Sequence, residues 1–316
     1  MNDRENQAAA DKKDTGFKAG FVTIIGEPNA GKSTLLNALL GQKLSIVTPK
    51  PQTTRKQILG IYSADDCQIV FVDTPGIMKP KYKLHTAMME SVDRVRDESD
   101  ALIFIIDAAS FKKQHKPISE DLAFSRIKDT KLPIILVLNK IDLLKKEEVL
   151  ELIATLSTQF EFKEFVPVSA IKGYNLKELV KALKLYLPQS EALYPSDILS
   201  TAPERFFVSE IVREKIFQLY HKEIPYSTEV EVEEFKENFE QDSTRKDVIR
   251  CAIVVERASQ KIILIGKKGE AIKRLGQAAR RDIEAFLERP VYLELFVKVR
   301  EDWREQDAKL REFGYK

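Results

Sequence analysis

Along residues 17–187, short apolar runs alternate with longer amphipathic stretches. The runs fall at 21–25, 58–62, 68–72, 101–107, 133–138 and 165–168. Several carry no polar interruption, the pattern of strands covered on both faces by helices. The runs at 58–62 and 68–72 are joined only by SADDC, too short for a crossover helix. That predicts an antiparallel hairpin at one edge of an otherwise parallel sheet. From 187 to 202 the chain reads LPQSEALYPSDILSTA, with Pro188, Pro195 and then Pro203 interrupting any helix. We read two domains, 17–187 and 203–316, with 188–202 as linker.

After the linker the pattern changes character. Residues 204–220 have helical periodicity through Phe207, Ile211, Ile216 and Leu219, and 227–235 alternate Val and Glu as a strand with one wet face. A second strand is expected at 248–256 and another at 261–265, running into GKKG. Helical patterns cover 270–275 and 280–287, and 291–299 closes as a strand. Residues 1–16 are polar and charged without an apolar run, which predicts a disordered tail and no secretory signal.

Composition narrows the class. The 316 residues suffice for two cores, and 43% apolar with 32% charged residues is ordinary for a soluble protein. A net charge of +2 selects no partner, so local charge must decide that question. Cys67 and Cys251 stand far apart, arguing against a disulfide framework and for a reducing compartment. His85, His115 and His221 lack metal-ligand spacing. No run approaches the roughly 20 apolar residues of a membrane span.

The chemistry lies in loops that follow the apolar runs. GEPNAGKS supplies Gly26, Glu27, Pro28, Asn29, Ala30, Gly31, Lys32 and Ser33, with Thr34 next, between the strand FVTII and the helix TLLNALL. This is the G-x-x-x-x-G-K-[ST] phosphate loop. Its backbone N–H groups and the helix start would cradle the β-phosphate. Lys32 would reach the β- and γ-phosphates, and Ser33 would coordinate Mg²⁺. DTPG (Asp73, Thr74, Pro75, Gly76) follows QIVFV; Asp73 would hold Mg²⁺ through water and the Gly76 N–H would meet the γ-phosphate. NKID (Asn139, Lys140, Ile141, Asp142) follows PIILVL. There Asp142 can accept from the N1–H and exocyclic amine that guanine has and adenine lacks. Asn139 would brace the loop and the Lys140 stem would lie over the base. In VSA, at Val168, Ser169 and Ala170, a backbone N–H would meet the guanine oxygen. PQTTRK, at 51–56, lies where the first switch belongs, with Thr54 expected to complete the Mg²⁺ shell and Thr53 as its runner-up. DTPG, NKID and VSA are each weak alone. Their order, each at the end of a strand, specifies a guanine nucleotide.

Two features bear on hydrolysis. Ile77 follows DTPG where Ras-like switches carry a water-orienting glutamine, which predicts slow hydrolysis or another positioning group. Asn29 is either a ligand for a potassium ion or a turn-forming residue; both readings stand. Lys32, Thr54, Gly76 and Asn29 form the expected catalytic set. Lys79, Lys81 and Lys83 are read as a solvated loop rather than a partner contact.

In the second domain, LIGKKGEAIKRLG has the form apolar strand, G-x-x-G loop, helix. Gly266 and Gly269 would allow close approach to a nucleic-acid backbone, and Lys267 and Lys268 would neutralise phosphates. With Lys261, Lys273, Arg274, Arg280 and Arg281, seven basic residues lie between 261 and 281 against one acid, Glu270. The order helix, strand, strand, helix, helix, strand is that of a type II KH domain.

Taken together, the chain from Phe17 onward resembles the Era family of bacterial GTPases. GEPNAGKS, KPQTTR, FVDTPG, NKID, VSA, STAPERFFVSEIVREKIF, LIGKKGEAIKRLG and VYLELFVKV carry the resemblance. It implies an α/β P-loop GTPase domain followed by an α+β type II KH domain, using GTP or GDP and Mg²⁺. It further implies a switch that binds the 3′ end of 16S ribosomal RNA, works on the 30S subunit, and is cytoplasmic with peripheral inner-membrane association. A monomer is expected. The rival readings are a GTPase serving another RNA or a protein partner, and a passive RNA-binding protein with a structural nucleotide site.

Overall fold

The computed structural model describes residues 16–238 and 246–315; the tail expected at 1–16 lies outside them except for Gly16. The first part runs β1 (Lys18–Ile25), α1 (Lys32–Leu40), β2 (Ile58–Ala64), β3 (Cys67–Asp73), α2 (Lys83–Asp97), β4 (Ala101–Asp107), α3 (Ala108–Gln114), β5 (Ile134–Asn139), α4 (Lys146–Ser157), β6 (Glu164–Pro167) and α5 (Leu176–Tyr186). Its sheet has the order β2-β3-β1-β4-β5-β6, with only β2 antiparallel, at the edge. The hairpin is tighter than expected, turning on Asp65 and Asp66 alone.

Burial follows the two-residue period of a strand. In β4, Leu102, Phe104 and Ile106 face the cluster with α2 and α4, while Ala101, Ile103 and Ile105 face the cluster with α1 and α5. Two-sided burial explains the uninterrupted apolar runs. The parallel strands deliver Gly26, Asp73, Asn139 and Val168 to one end of the sheet, where ligands bind in open α/β folds. Residues 188–202 form no helix or strand and run along the β2–β3 edge. Ile61 N donates to Leu199 O at 2.8 Å, Ser200 Oγ to Leu59 O at 2.6 Å and Gln68 Nε2 to Tyr194 O at 2.8 Å. They cover an edge that would otherwise offer unpaired backbone.

The second part comprises α6 (Glu204–Leu219), α7 (Ile224–Ser227), β7 (Glu229–Lys236), β8 (Asp247–Val255), α8 (Ala258–Ile265), α9 (Glu270–Leu287), β9 (Val291–Val299) and α10 (Asp307–Glu312). β8 pairs antiparallel with β7 and parallel with β9, and α6, α8 and α9 cover one face. The strand expected at 261–265 is instead part of helix α8. The Gln260 carboxamide accepts from the N–H groups of Glu256 at 2.9 Å and Arg257 at 3.1 Å, which starts a helix. The buried positions are then Gln260 and Leu264, four apart, while Ile262 and Ile263 face outward. The two patterns at 270–275 and 280–287 are one helix, buried at Leu275, Ala279, Ile283 and Leu287. The order helix, strand, strand, helix, helix, strand therefore holds with a different helix pair.

Beyond β9, Trp303 is fully buried and donates from Nε1 to Ser227 O at 3.0 Å. With Leu310 and Phe313 it joins Met88 of α2 and Val254 of β8 in one apolar cluster, wedging the C-terminal segment between the two parts.

Candidate functional site

The residues after β1 curl around the Lys32 ammonium, which donates to Gly26 O at 3.0 Å and Glu27 O at 2.9 Å. Burial pushes this amine down to about 8, against the opposing pull of Asp73 and Glu27. Gly31, at φ 102°, caps α1, and a Cβ there would collide with Asn139 Nδ2. Asn29 also takes a left-handed turn, φ 64°, and its Nδ2 donates to Pro49 O at 3.3 Å. Gly76 packs against Pro28.

Ser33, Thr54 and Asp73 are brought together although they stem from α1, the 41–57 loop and β3. Ser33 Oγ lies 2.7 Å from Asp73 Oδ2 and 2.8 Å from Thr54 Oγ1. A fourth member, Ser45, escaped the motif reading and donates to Asp73 Oδ2 at 2.9 Å. Asn37 holds that loop, accepting from the N–H groups of Leu44 and Ser45 at 2.9 Å each. Asp73 is fully buried, and its Oδ1 is the buried side-chain oxygen without a hydrogen-bond partner among the described residues. Burial raises its carboxyl, with Ser33 and Lys32 acting against this. A desolvated carboxylate with an orphaned oxygen, flanked by two hydroxyls, is a donor set that fits a hard divalent cation such as Mg²⁺.

A second cluster forms the base end. Asn139 joins the loops, donating to Ala30 O at 2.9 Å and accepting from Ala170 N at 3.1 Å. Ser169 Oγ donates to Asp142 Oδ1 at 2.6 Å, which fixes the carboxylate. Lys140, at φ 63°, reaches back to Asn29 O at 2.8 Å and Asp107 Oδ2 at 2.7 Å. Thr74 Oγ1 anchors DTPG on Ile24 O at 2.7 Å. Thr34 lines the same cleft as Lys32, Ser33, Gly76 and Lys140; Pro75, Ile77 and Ile141 lie in the loops already described.

The sequence reading missed that the second part grips the 43–56 loop. Val47 N donates to Glu214 Oε1 at 3.1 Å, and Lys43 pairs with Glu214 Oε2 at 2.6 Å. Lys50 donates to the carbonyls of Phe217 and Tyr220. Arg213 donates to Thr53 O at 2.5 Å. Arg55 is buried, donating to Thr228 O at 2.5 Å, Pro225 O at 2.9 Å, Tyr226 O at 3.0 Å and Glu229 Oε2 at 3.3 Å. Lys83 corrects the solvated-loop reading, pairing with Asp307 at 2.6 Å; Lys79 and Lys81 are exposed.

At the other end of the second part, Gly266, Lys268 and Gly269 take positive φ of 73°, 53° and 80° and turn α8 into α9. Lys267, Lys268, Lys273 and Arg274 are exposed and make no ion pair among the described residues. Arg280 and Arg281, by contrast, are paired with Glu284 and Asp282.

Comparison with known proteins matches a 50S ribosome-binding GTPase family over residues 21–140 and a KH domain over 223–304. The GTPase Era of Geotalea uraniireducens (strain Rf4) is 46% identical over 300 residues, covering 95% of this chain and 98% of its relative. A variant of Era from Aquifex aeolicus, solved with GDP and AlF4⁻, superposes with a TM-score of 0.87 at 43% identity, covering 95% and 99% of the two chains. Era solved with MgGDPNP and nucleotides 1506–1542 of 16S ribosomal RNA matches with the same score, identity and coverage.

Proposed function

The chain belongs to the GTPase Era family, and on that premise we propose a GTP-hydrolysing switch that binds the 3′ end of 16S ribosomal RNA through its KH domain and assists 30S assembly. Domains at 17–187 and 203–316, joined by 188–202, would share the work. Ser33, Thr54 and Asp73 would hold Mg²⁺, which neutralises phosphate charge when bound. Lys32 would bind the β- and γ-phosphates, with the Gly76 N–H at the γ end. Asp142 would select guanine, Asn139 would brace its loop, and a backbone N–H of the VSA loop at Val168, Ser169 and Ala170 would face the guanine oxygen. Gly266–Gly269 would clamp the RNA backbone beside Lys267, Lys268, Lys273 and Arg274. The protein would act as a cytoplasmic monomer with peripheral contact at the inner membrane. Among the described residues no helix is long and apolar enough to cross a membrane.

One observation carries the switch reading: adjacent residues serve both domains. Thr54 Oγ1 bonds Ser33 in the nucleotide cluster, while Thr53 O is held by Arg213 of the KH domain. A γ-phosphate that orders Thr54 would therefore bias how the KH domain sits. The test is RNA affinity with GDP and with a non-hydrolysable GTP analogue. Equal affinities would refute the coupling.

Asn29 is the proposed ligand for a potassium ion, supported by its place in the phosphate loop facing the same cleft. Turnover should be faster in potassium than in sodium, and Asn29→Ala should remove the difference. Equal turnover in both salts would leave Asn29 as a turn residue only.

A further inference from the structure

Hydrolysis needs a water held in line with the γ-phosphate. Ile77 cannot hold it: the residue is 1% exposed and its side chain packs with Leu84 and Met88. Its N–H is occupied by Gly26 O at 3.1 Å.

We infer that Gln52 orients the attacking water in this chain, and that His85 is the positioning residue that fixes the Gln52 carboxamide. Gln52 lines the cleft formed with Lys32, Ser33, Thr54 and Gly76. Several neighbouring polar groups are engaged elsewhere. Ser33 and Thr54 bond each other, as do Thr48 and Thr53, and Asn29 donates to Pro49 O. Gln52 sits at φ 61°, a conformation that L-residues avoid and that persists only where the surroundings impose it. Those surroundings are on one side the turn closed by Thr53 Oγ1 on Lys50 O at 2.8 Å, and on the other His85.

His85 sets the amide's direction. Its Nδ1 accepts the Lys81 N–H at 3.4 Å, so the neutral ring carries its proton on Nε2. Nε2–H therefore donates to Gln52 Oε1 at 3.1 Å. Tyr82 packs against the imidazole, with ring centroids 3.8 Å apart and planes tilted by 30°, and holds it in place. The Gln52 Oε1 keeps a second lone pair for a water proton, and the NH₂ is turned away from His85 and can donate to a γ-oxygen. In the reaction the water oxygen bonds to the γ-phosphorus as the bond to the β–γ bridging oxygen breaks. One water proton stays on the oxygen that joins phosphorus and the other passes to a phosphate oxygen, so GTP and water give GDP and phosphate, and Gln52 is unchanged.

This rests on the family's GTPase activity, and wild-type turnover measured alongside separates a failure of that premise from a failure of the inference. The test uses the full chain with Gln52→Gly, since glycine adopts the required φ without strain. Single-turnover hydrolysis should fall about tenfold or more, with mant-GDP affinity within about threefold of wild type as the control for folding. The AlF4⁻-dependent fluorescence change of the mant-GDP complex should disappear with it. His85→Ala should give a smaller loss, and the double variant should be no slower than Gln52→Gly alone. Wild-type hydrolysis and an intact AlF4⁻ response in Gln52→Gly would overturn the role of Gln52. A His85→Ala loss that multiplies in full onto Gln52→Gly would overturn the role of His85.

Discussion

At the residue scale, the nucleotide site is organised by one carboxylate whose burial is only half compensated. Asp73 Oδ2 receives Ser33 and Ser45 while Oδ1 has no partner among the described residues. Asp73→Asn keeps the shape and removes the charge. Nucleotide affinity in Mg²⁺ should fall about tenfold or more, while affinity in excess EDTA stays at the wild-type value; an equal fall in both would make Asp73 merely structural. His85 gives a second prediction. Burial, followed by the cations Arg55, Arg304 and Lys81, lowers its imidazole from 6.5 to about 4. The unfolded chain therefore takes up the proton first, so stability is full above pH 6.5 and is lost as pH falls toward 4. From about pH 7 to pH 5 the loss should be on the order of 2 kcal/mol, and His85→Gln should remove that part of the slope in urea melts. Identical slopes would mean that the ring is not held neutral. Neither residue's environment was legible in advance. DTPG identifies Asp73 as a site residue, but Ser45 carries no motif, and two of the three cations near His85, Arg55 and Arg304, come from distant segments.

At the scale of elements, what could be read in the sequence was what repeats locally. The edge hairpin, the buried parallel strands and the four loops at their ends all followed from period and order. The run KIILI failed because five residues fit either period. A capping glutamine looks like any other glutamine in the sequence, and in the fold it was the Gln260 side chain on the Glu256 and Arg257 N–H groups that decided for helix. The consequence is functional. As a helix, α8 exposes Ile262, 71% accessible, and Ile263 beside the G-x-x-G turn, so an apolar surface adjoins Lys267 and Lys268, which make no ion pair among the described residues. Lys267→Ala with Lys268→Ala should weaken RNA binding and lower the slope of log affinity against log salt by about 1–2. An unchanged slope would place the phosphate contacts elsewhere.

At the scale of the whole molecule, the two domains meet through a charged cluster that neither could bury alone. Arg55 and Arg213 lie with Glu210 and Glu229 in the interface, all four nearly inaccessible, and Tyr315 donates to Glu229 Oε2 at 2.6 Å. Burial alone would raise the Glu229 carboxyl, but Lys56, Arg55 and Arg213 hold it below the ordinary range. Arg55, Arg213 and the partly exposed Lys56 face Glu210 and Glu229, so removing the Glu229 charge leaves buried cations uncompensated, at a cost of about 3–5 kcal/mol for the docked arrangement. Glu229 lies on β7, outside the nucleotide cluster, which makes it the position to change. Glu229→Gln keeps the side-chain shape and should leave GDP affinity within about twofold of wild type. It should separate thermal unfolding into two calorimetric transitions, since the domains would no longer stabilise each other. The ratio of RNA affinities with a GTP analogue and with GDP should move toward one, because the loop holding Thr53 and Thr54 would lose its grip on the KH domain. A single transition with an unchanged ratio would show that the apolar wedge around Trp303, rather than the charged cluster, joins the nucleotide to the RNA.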